Sequence, residues 1–242
     1  MILEGRVGLV TGAGHRVGRA LAVALGKEKM SVAVHFNSSA SEANETVRLI
    51  ESEGGKAKTF QFDLSQRDAP EKLIDAVMKQ FGSLDVLINS AAIMKRHSFG
   101  SITVDDWDET MNLNLRSPFF VAQAASRAMT NGGAIVNIAD LAAFETWPSY
   151  IPHSMSKSGV VKMTEGMAKV LAPSIRVNAI APGAVLLPDD WSETIGERIV
   201  DTTPLRRLGE PQDVVDAMLY LLKANYITGD TIIVDGGRHI RK

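Results

Sequence analysis

Seven short apolar runs rich in β-branched residues recur along this chain, with helical stretches between them. That alternation leaves few folds open. The runs lie at residues 6–11, 31–36, 57–62, 86–89, 134–138, 176–180 and 231–234. Most are continuously apolar rather than alternating, as strands buried on both faces must be. The stretches at 17–27, 40–52, 70–81, 105–129, 154–172 and 211–222 carry helical patterns. Strand–helix alternation builds right-handed βαβ units. The expected architecture is α/β: a doubly wound parallel sheet of about seven strands with helices on both faces. No low-complexity linker, internal repeat or composition shift divides the chain, so residues 1–242 are expected to form a single domain.

Composition narrows the function classes. The net charge is -2, so no bulk field favours nucleic acid or an anionic membrane as a partner. There is no cysteine, which excludes disulfides, thiolate metal sites and a cysteine nucleophile. His15, His35, His97, His153 and His239 are scattered without a ligand spacing, and no metal is expected. No apolar run is long enough to span a bilayer, and residues 1–6 lead into the first strand without a signal-peptide pattern. The expected location is the cytoplasm.

The first run ends in Thr11-Gly12-Ala13-Gly14-His15-Arg16-Val17-Gly18, and a helical stretch follows. Glycines at such a turn let the backbone approach a pyrophosphate, and the helix N-terminus supplies free N–H groups and a positive dipole end. A Rossmann-type dinucleotide site is expected, with Gly12, Arg16, Val17 and Gly18 in it. The second run ends His35-Phe36-Asn37-Ser38-Ser39, with no acid before Glu42. A carboxylate there would grip the ribose 2′-hydroxyl of NAD. Asn37, Ser38 and Ser39 can instead donate to a 2′-phosphate, and Arg16 can pair with its charge. NADP(H) is the expected cofactor.

The glycine segment resembles that of the short-chain dehydrogenase/reductase family, whose pattern is Thr-Gly-x-x-x-Gly-x-Gly. Arg16 stands where the family has its middle glycine, and in this the chain is similar to the pteridine reductase branch, as it also is from His35 to Ala43. The resemblance covers essentially the whole chain. It implies that Asp63 and Leu64 meet the adenine, that Asn89-Ser90-Ala91 keeps the fourth strand end open to the cofactor, and that Pro182 and Gly183 lie beside the nicotinamide carboxamide.

The same resemblance implies a catalytic set: an Asn on the fourth helix, a Ser after the fifth strand, and a Tyr and Lys spaced Tyr-x-x-x-Lys. Asn114 and Lys157 match. Asp140 stands at the serine position, as in pteridine reductases, and His153 stands at the tyrosine position. Lys157 is expected to bind the nicotinamide ribose and tune the local charge, and Asn114 to position a water or the helix backbone. Imidazole is a competent general acid near neutral pH. His153 is therefore expected to donate the proton, with Asp140 orienting either His153 or the substrate. Spacing i, i+4 places His153 and Lys157 on one helix face.

Residues 186–204, with Leu187 and Trp191, are expected to form a loop-rich insertion, either of the kind that covers a substrate or a surface excursion with its Trp packed inward. Ile93 stands where the pteridine reductases carry an aromatic that stacks on the pterin, and Tyr150 lies near His153. These four residues are the candidate substrate contacts. Two readings compete. One is an NADPH-dependent oxidoreductase reducing a carbonyl or a pterin-like C=N bond in a small molecule. The other is a catalytically weak or inactive NADP(H)-binding protein, a sensor or assembly subunit. The resemblance implies a homotetramer, or a homodimer.

Overall fold

The computed structural model describes residues 1–187 and 193–240. Seven strands form one parallel sheet: β1 (Val7–Val10), β2 (Ser31–Phe36), β3 (Lys56–Gln61), β4 (Val86–Asn89), β5 (Gly133–Ile138), β6 (Ile175–Pro182) and β7 (Thr231–Val234). Their order is β3-β2-β1-β4-β5-β6-β7, and every pairing is parallel. The chain moves outward from β1 in one direction to β3, then crosses back to β4 and moves the other way. The crevice between β1 and β4, at the carboxyl ends of the strands, is the topological switch point where such sheets bind ligands.

Period-two alternation divides each strand between two cores. Along β4, Val86 and Ile88 enter a cluster with Leu21 and Leu25 of α1 (Arg16–Lys27), Ile50 of α2 (Ala40–Ser52) and Met218 of the last long helix, Pro211–Lys223. Leu87 faces the other way, into a cluster with Leu73 of α3 (Ala69–Phe81) and the helices that follow β4 and β5. A strand buried on both sides has no polar face to alternate with, which is why these runs read as continuously apolar. No helix among the described residues is long and apolar enough to cross a membrane.

Three helical features differ from the sequence expectation. The stretch 105–129 is one rod broken in register: α4 (Val104–Met111), a π-helical turn at Asn112–Arg116, and α5 (Ser117–Ala128). Propensity does not mark a π-turn, because only the bond pattern changes. The next helix, α6 (Ile151–Leu171), begins three residues before the expected start, because Pro152 opens it rather than blocking it. Proline lacks only an N–H that is unpaired at this position anyway. Residues 186–204 are not loop throughout, since α7 (Glu193–Thr202) lies within them, burying Gly196 and Ile199 one turn apart. The helix Pro211–Lys223 is α8.

Candidate functional site

A cleft of about 440 Å³ runs along the carboxyl ends of the strands. Gly12, Arg16, Val17 and Gly18 line it after β1, Asn37 and Ser39 after β2, and Asp63 and Leu64 after β3. Ser90, Ala91 and Ile93 follow β4, Asp140 follows β5, Pro182 and Gly183 close β6, and His153 and Lys157 come from α6. Most of the expected site residues therefore share one cavity.

Several do not line it. Ser38 is exposed and off the cleft. Asn89 is buried in the sheet, where its Nδ2 donates to Asn137 Oδ1 at 2.9 Å and to Pro118 O at 3.2 Å, so it braces strands rather than meeting a ligand. Tyr150 precedes α6 and packs edge-on against Trp147. The Leu187 side chain packs near Gly196 of α7. Trp191 lies outside the described residues.

The glycine turn is shaped by backbone contact. A Cβ at Gly18 would stand 2.1 Å from the Gly12 carbonyl oxygen, and one at Gly12 would stand 2.9 Å from Ala91 Cα. Thr11 Oγ1 accepts from the N–H groups of Ser90 and Ala91, which holds the β1 and β4 ends together. His35 ties in two more strand ends. Its Nδ1 accepts from Gly12 N–H at 3.1 Å and its Nε2 lies 3.0 Å from Phe62 O. Burial pulls its pKa down to about 4, with the bond to Phe62 opposing that shift. A neutral ring fits the pattern, with Nδ1 accepting and Nε2–H donating. His35 was not among the expected site residues. Its one visible signal is a polar residue interrupting an apolar run at the carboxyl end of a strand.

Helix α1 opens without an acidic residue in its first turn and without a side-chain cap. Its free N–H groups and positive dipole end therefore face the cleft uncompensated, a suitable seat for a pyrophosphate. Arg16 departs from expectation. It holds a left-handed backbone, φ 52°, at the position where the resemblance implies glycine. Its guanidinium donates to Leu186 O at 2.6 Å and reaches Leu187 O at 3.4 Å, so it bridges to the segment after β6. The backbone carbonyls there match its fork of donors.

At the other end of the cleft, side chains set the geometry. Asn114 sits in the π-turn, buried behind the wall. It pairs with the backbone of Ile93 like a strand neighbour: Nδ2 donates to Ile93 O at 2.8 Å, and Oδ1 accepts from Ile93 N–H at 2.9 Å. The same Nδ2 lies 3.3 Å from Ser156 Oγ and 3.4 Å from His153 Nδ1. His153 Nδ1 is 3.2 Å from Ile93 O, and its Nε2 is 3.4 Å from Asp140 Oδ2. Asp140 caps a short helical turn, its Oδ1 accepting from Ala142 N–H at 2.8 Å. Lys157 Nζ donates to Ile138 O at 2.9 Å. Burial pushes the Lys157 ammonium below the usual lysine range, and the Asp140 carboxylate opposes that shift.

A family model described as enoyl-(acyl carrier protein) reductase matches residues 12–239. Glucose 1-dehydrogenase 2 of Bacillus subtilis is 34% identical over 97% of this chain and 95% of its own. The chain belongs to the short-chain dehydrogenase/reductase family. It is also 34% identical to the 3-oxoacyl-[acyl-carrier-protein] reductase FabG of Staphylococcus aureus, over 96% of this chain and 97% of that protein. The solved angucycline C-6 ketoreductase LanV, with bound NADP, superposes with a TM-score of 0.93 at 28% identity, covering 99% of this chain and 97% of that one. The short-chain dehydrogenase/reductase fold thus accounts for the sheet order and for the place of the cleft, and the protein is an oxidoreductase of that type.

Proposed function

We propose that the protein is an NADPH-dependent reductase of a small-molecule carbonyl or pterin-like C=N bond, and that residues 1–242 form one NADP-binding domain. The observation that carries this reading is the meeting of Asp140, His153 and Lys157 at one end of the cleft whose other end is the glycine turn. Bound NADPH would supply the hydride. The backbone at Gly12, Val17 and Gly18 would hold the pyrophosphate, and Asn37 and Ser39 the 2′-phosphate, where no acid opposes it. Asp63 and Leu64 would flank the adenine, Ser90 and Ala91 the open strand end, and Pro182 and Gly183 the carboxamide. The buried Lys157 ammonium would bind the nicotinamide ribose. His153 and Asp140 would hold the proton that the substrate heteroatom takes up.

Ile93, Met94, Val185 and Leu186 give the cleft apolar walls, which suits a hydrophobic substrate. Arg16 and Asp140 support a place near the pteridine reductase branch, with His153 where the family's tyrosine stands. Exposed Phe119 and Phe120 on α5 and Val170 on α6 support a homotetramer or homodimer that covers them. The cytoplasm remains the proposed location. The burial of His153 favours a second reading, an NADP(H)-binding protein without turnover. The test is loss of NADPH absorbance with pterins, 1,2-diketones and β-ketoacyl thioesters, with cofactor affinity measured in parallel. Turnover of one class, with NADH much poorer, is expected. Tight NADPH binding without turnover of any class selects the second reading.

A further inference from the structure

His153 stands in the first turn of α6 with both ring nitrogens engaged inside the protein. Its side chain is 4% exposed, against 24% for Asp140. The hydrogen-bond inventory decides where its protons sit. Asn114 Nδ2 has two hydrogens, and Ile93 O and Ser156 Oγ are its nearer acceptors, at 2.8 and 3.3 Å. Ile93 O has a second lone pair, and His153 Nδ1 lies 3.2 Å from it. Nδ1 therefore carries a hydrogen and donates it to Ile93 O. Nε2 then faces Asp140 Oδ2 at 3.4 Å, and two bare lone pairs would repel at that contact. One proton lies between them.

The carboxyl has one oxygen to offer. Oδ1 accepts from Ala142 N–H and Oδ2 faces the His153 ring, and of the two residues, both lining the cleft, Asp140 is the more exposed. The other groups at this end are turned to other tasks, since Lys157 donates to Ile138 O and Tyr150 is off the cleft. We propose that the group handing the proton to the substrate is the Asp140 carboxyl, and that His153 is a positioning residue behind it, storing the proton at Nε2. This rests on the reductase reading above.

The step balances. The substrate carbon accepts hydride from the dihydronicotinamide, which is oxidised. The substrate oxygen or nitrogen takes a proton from Asp140 Oδ2, and Asp140 takes the Nε2 proton of His153. His153 is left neutral, with Nδ1–H still on Ile93 O. One solvent proton restores the pair through Asp140 after product leaves.

The test compares Asp140→Asn with His153→Gln in kinetics on the best substrate of the panel, beside nitrogen NMR of the histidine rings and NADPH affinity. Asparagine keeps the cap on Ala142 and loses the acid, and should lower kcat by about 10²-fold or more with NADPH affinity unchanged. Glutamine can still donate to Oδ2 and should retain more turnover than Asp140→Asn. Its loss should fall in kcat with KM and NADPH affinity little changed, because His153 acts through Asp140 and does not line up against the cofactor phosphates. In the wild type, His153 should show a protonated Nδ1, and an Nε2 signal that changes in Asp140→Asn. If Asp140→Asn does not fold, Asp140→Ser keeps a capping oxygen without an acid and should show the same loss. Greater damage from His153→Gln than from Asp140→Asn, or a bare Nδ1 in the wild type, would overturn the proposal while leaving the reductase standing. Absence of wild-type turnover with NADPH bound would overturn both.

Discussion

The two ends of the cleft are built from different materials. At the cofactor end, backbone meets backbone: Gly18 against the Gly12 carbonyl, Gly12 against Ala91. Where an ionisable side chain braces that end, as His35 does, burial keeps it neutral. At the catalytic end, the shape rests on hydrogen bonds from Asn114 and His153 to Ile93 and from His153 to Asp140, beside the Lys157 ammonium. Steric contact leaves no room for substitution and is indifferent to pH. A hydrogen-bonded chain tolerates a change of residue if donors and acceptors still match, and it stores protons. One protein thus keeps a rigid backbone turn and an adjustable cluster of ionisable side chains on the same sheet.

The largest expected effect comes from breaking the steric end. Gly18→Ala places a methyl 2.1 Å from a backbone oxygen that has no rotamer to move. It should cost at least about 1–3 kcal/mol of stability and abolish measurable NADPH binding. Thermal melting and cofactor fluorescence check both, and an unchanged Kd would refute the steric account.

Next comes the neutral brace. The unfolded chain binds a proton at His35 near the ordinary value of 6.5, whereas the native ring resists until about 4. The unfolded state holds more protons in that window, so stability is full above it and falls as pH drops through it. The full loss is on the order of 3 kcal/mol. Urea titrations across the window should show that slope in the wild type and a flatter one in His35→Gln. Equal slopes would mean that the ring is not held neutral.

The smallest effect tests the side-chain end. Asn114→Leu leaves the Ile93 N–H without its partner, at about 1–3 kcal/mol for a buried group left unpaired, while Ile93 O keeps the bond from His153 Nδ1. It should lower kcat while leaving NADPH affinity nearly unchanged, because the glycine turn is untouched. An equal loss in both would mean that the two ends are coupled.

The strands were legible because continuous burial writes itself as continuous apolarity, and the glycine turn because close backbone approach demands the one residue without a Cβ. Asp140, His153 and Lys157 could be named because they stand at the positions where the family carries its catalytic residues, the latter two spaced i, i+4. Their protons could not be placed, because that depends on Ile93 O, a backbone atom invisible to residue type. That Asn89 Nδ2 ties β4 to Asn137 of β5 could not be read either, since an amide at a strand end can turn either way. Nor could it be read that Arg16 reaches a carbonyl 170 residues away in the chain.

By itself, the sequence determined that this chain winds a parallel sheet, that β1 ends in a glycine-rich turn, and that no acid stands at the end of β2. Those are local properties, set by side-chain volume, polarity and backbone freedom at each position. The tertiary structure alone decided that a π-turn aims Asn114 at Ile93, that His35 joins three strand ends, and that Asp140 rather than His153 has the more open face to the cleft. Each depends on atoms far apart in sequence meeting within hydrogen-bond distance, and packing rather than propensity sets that distance.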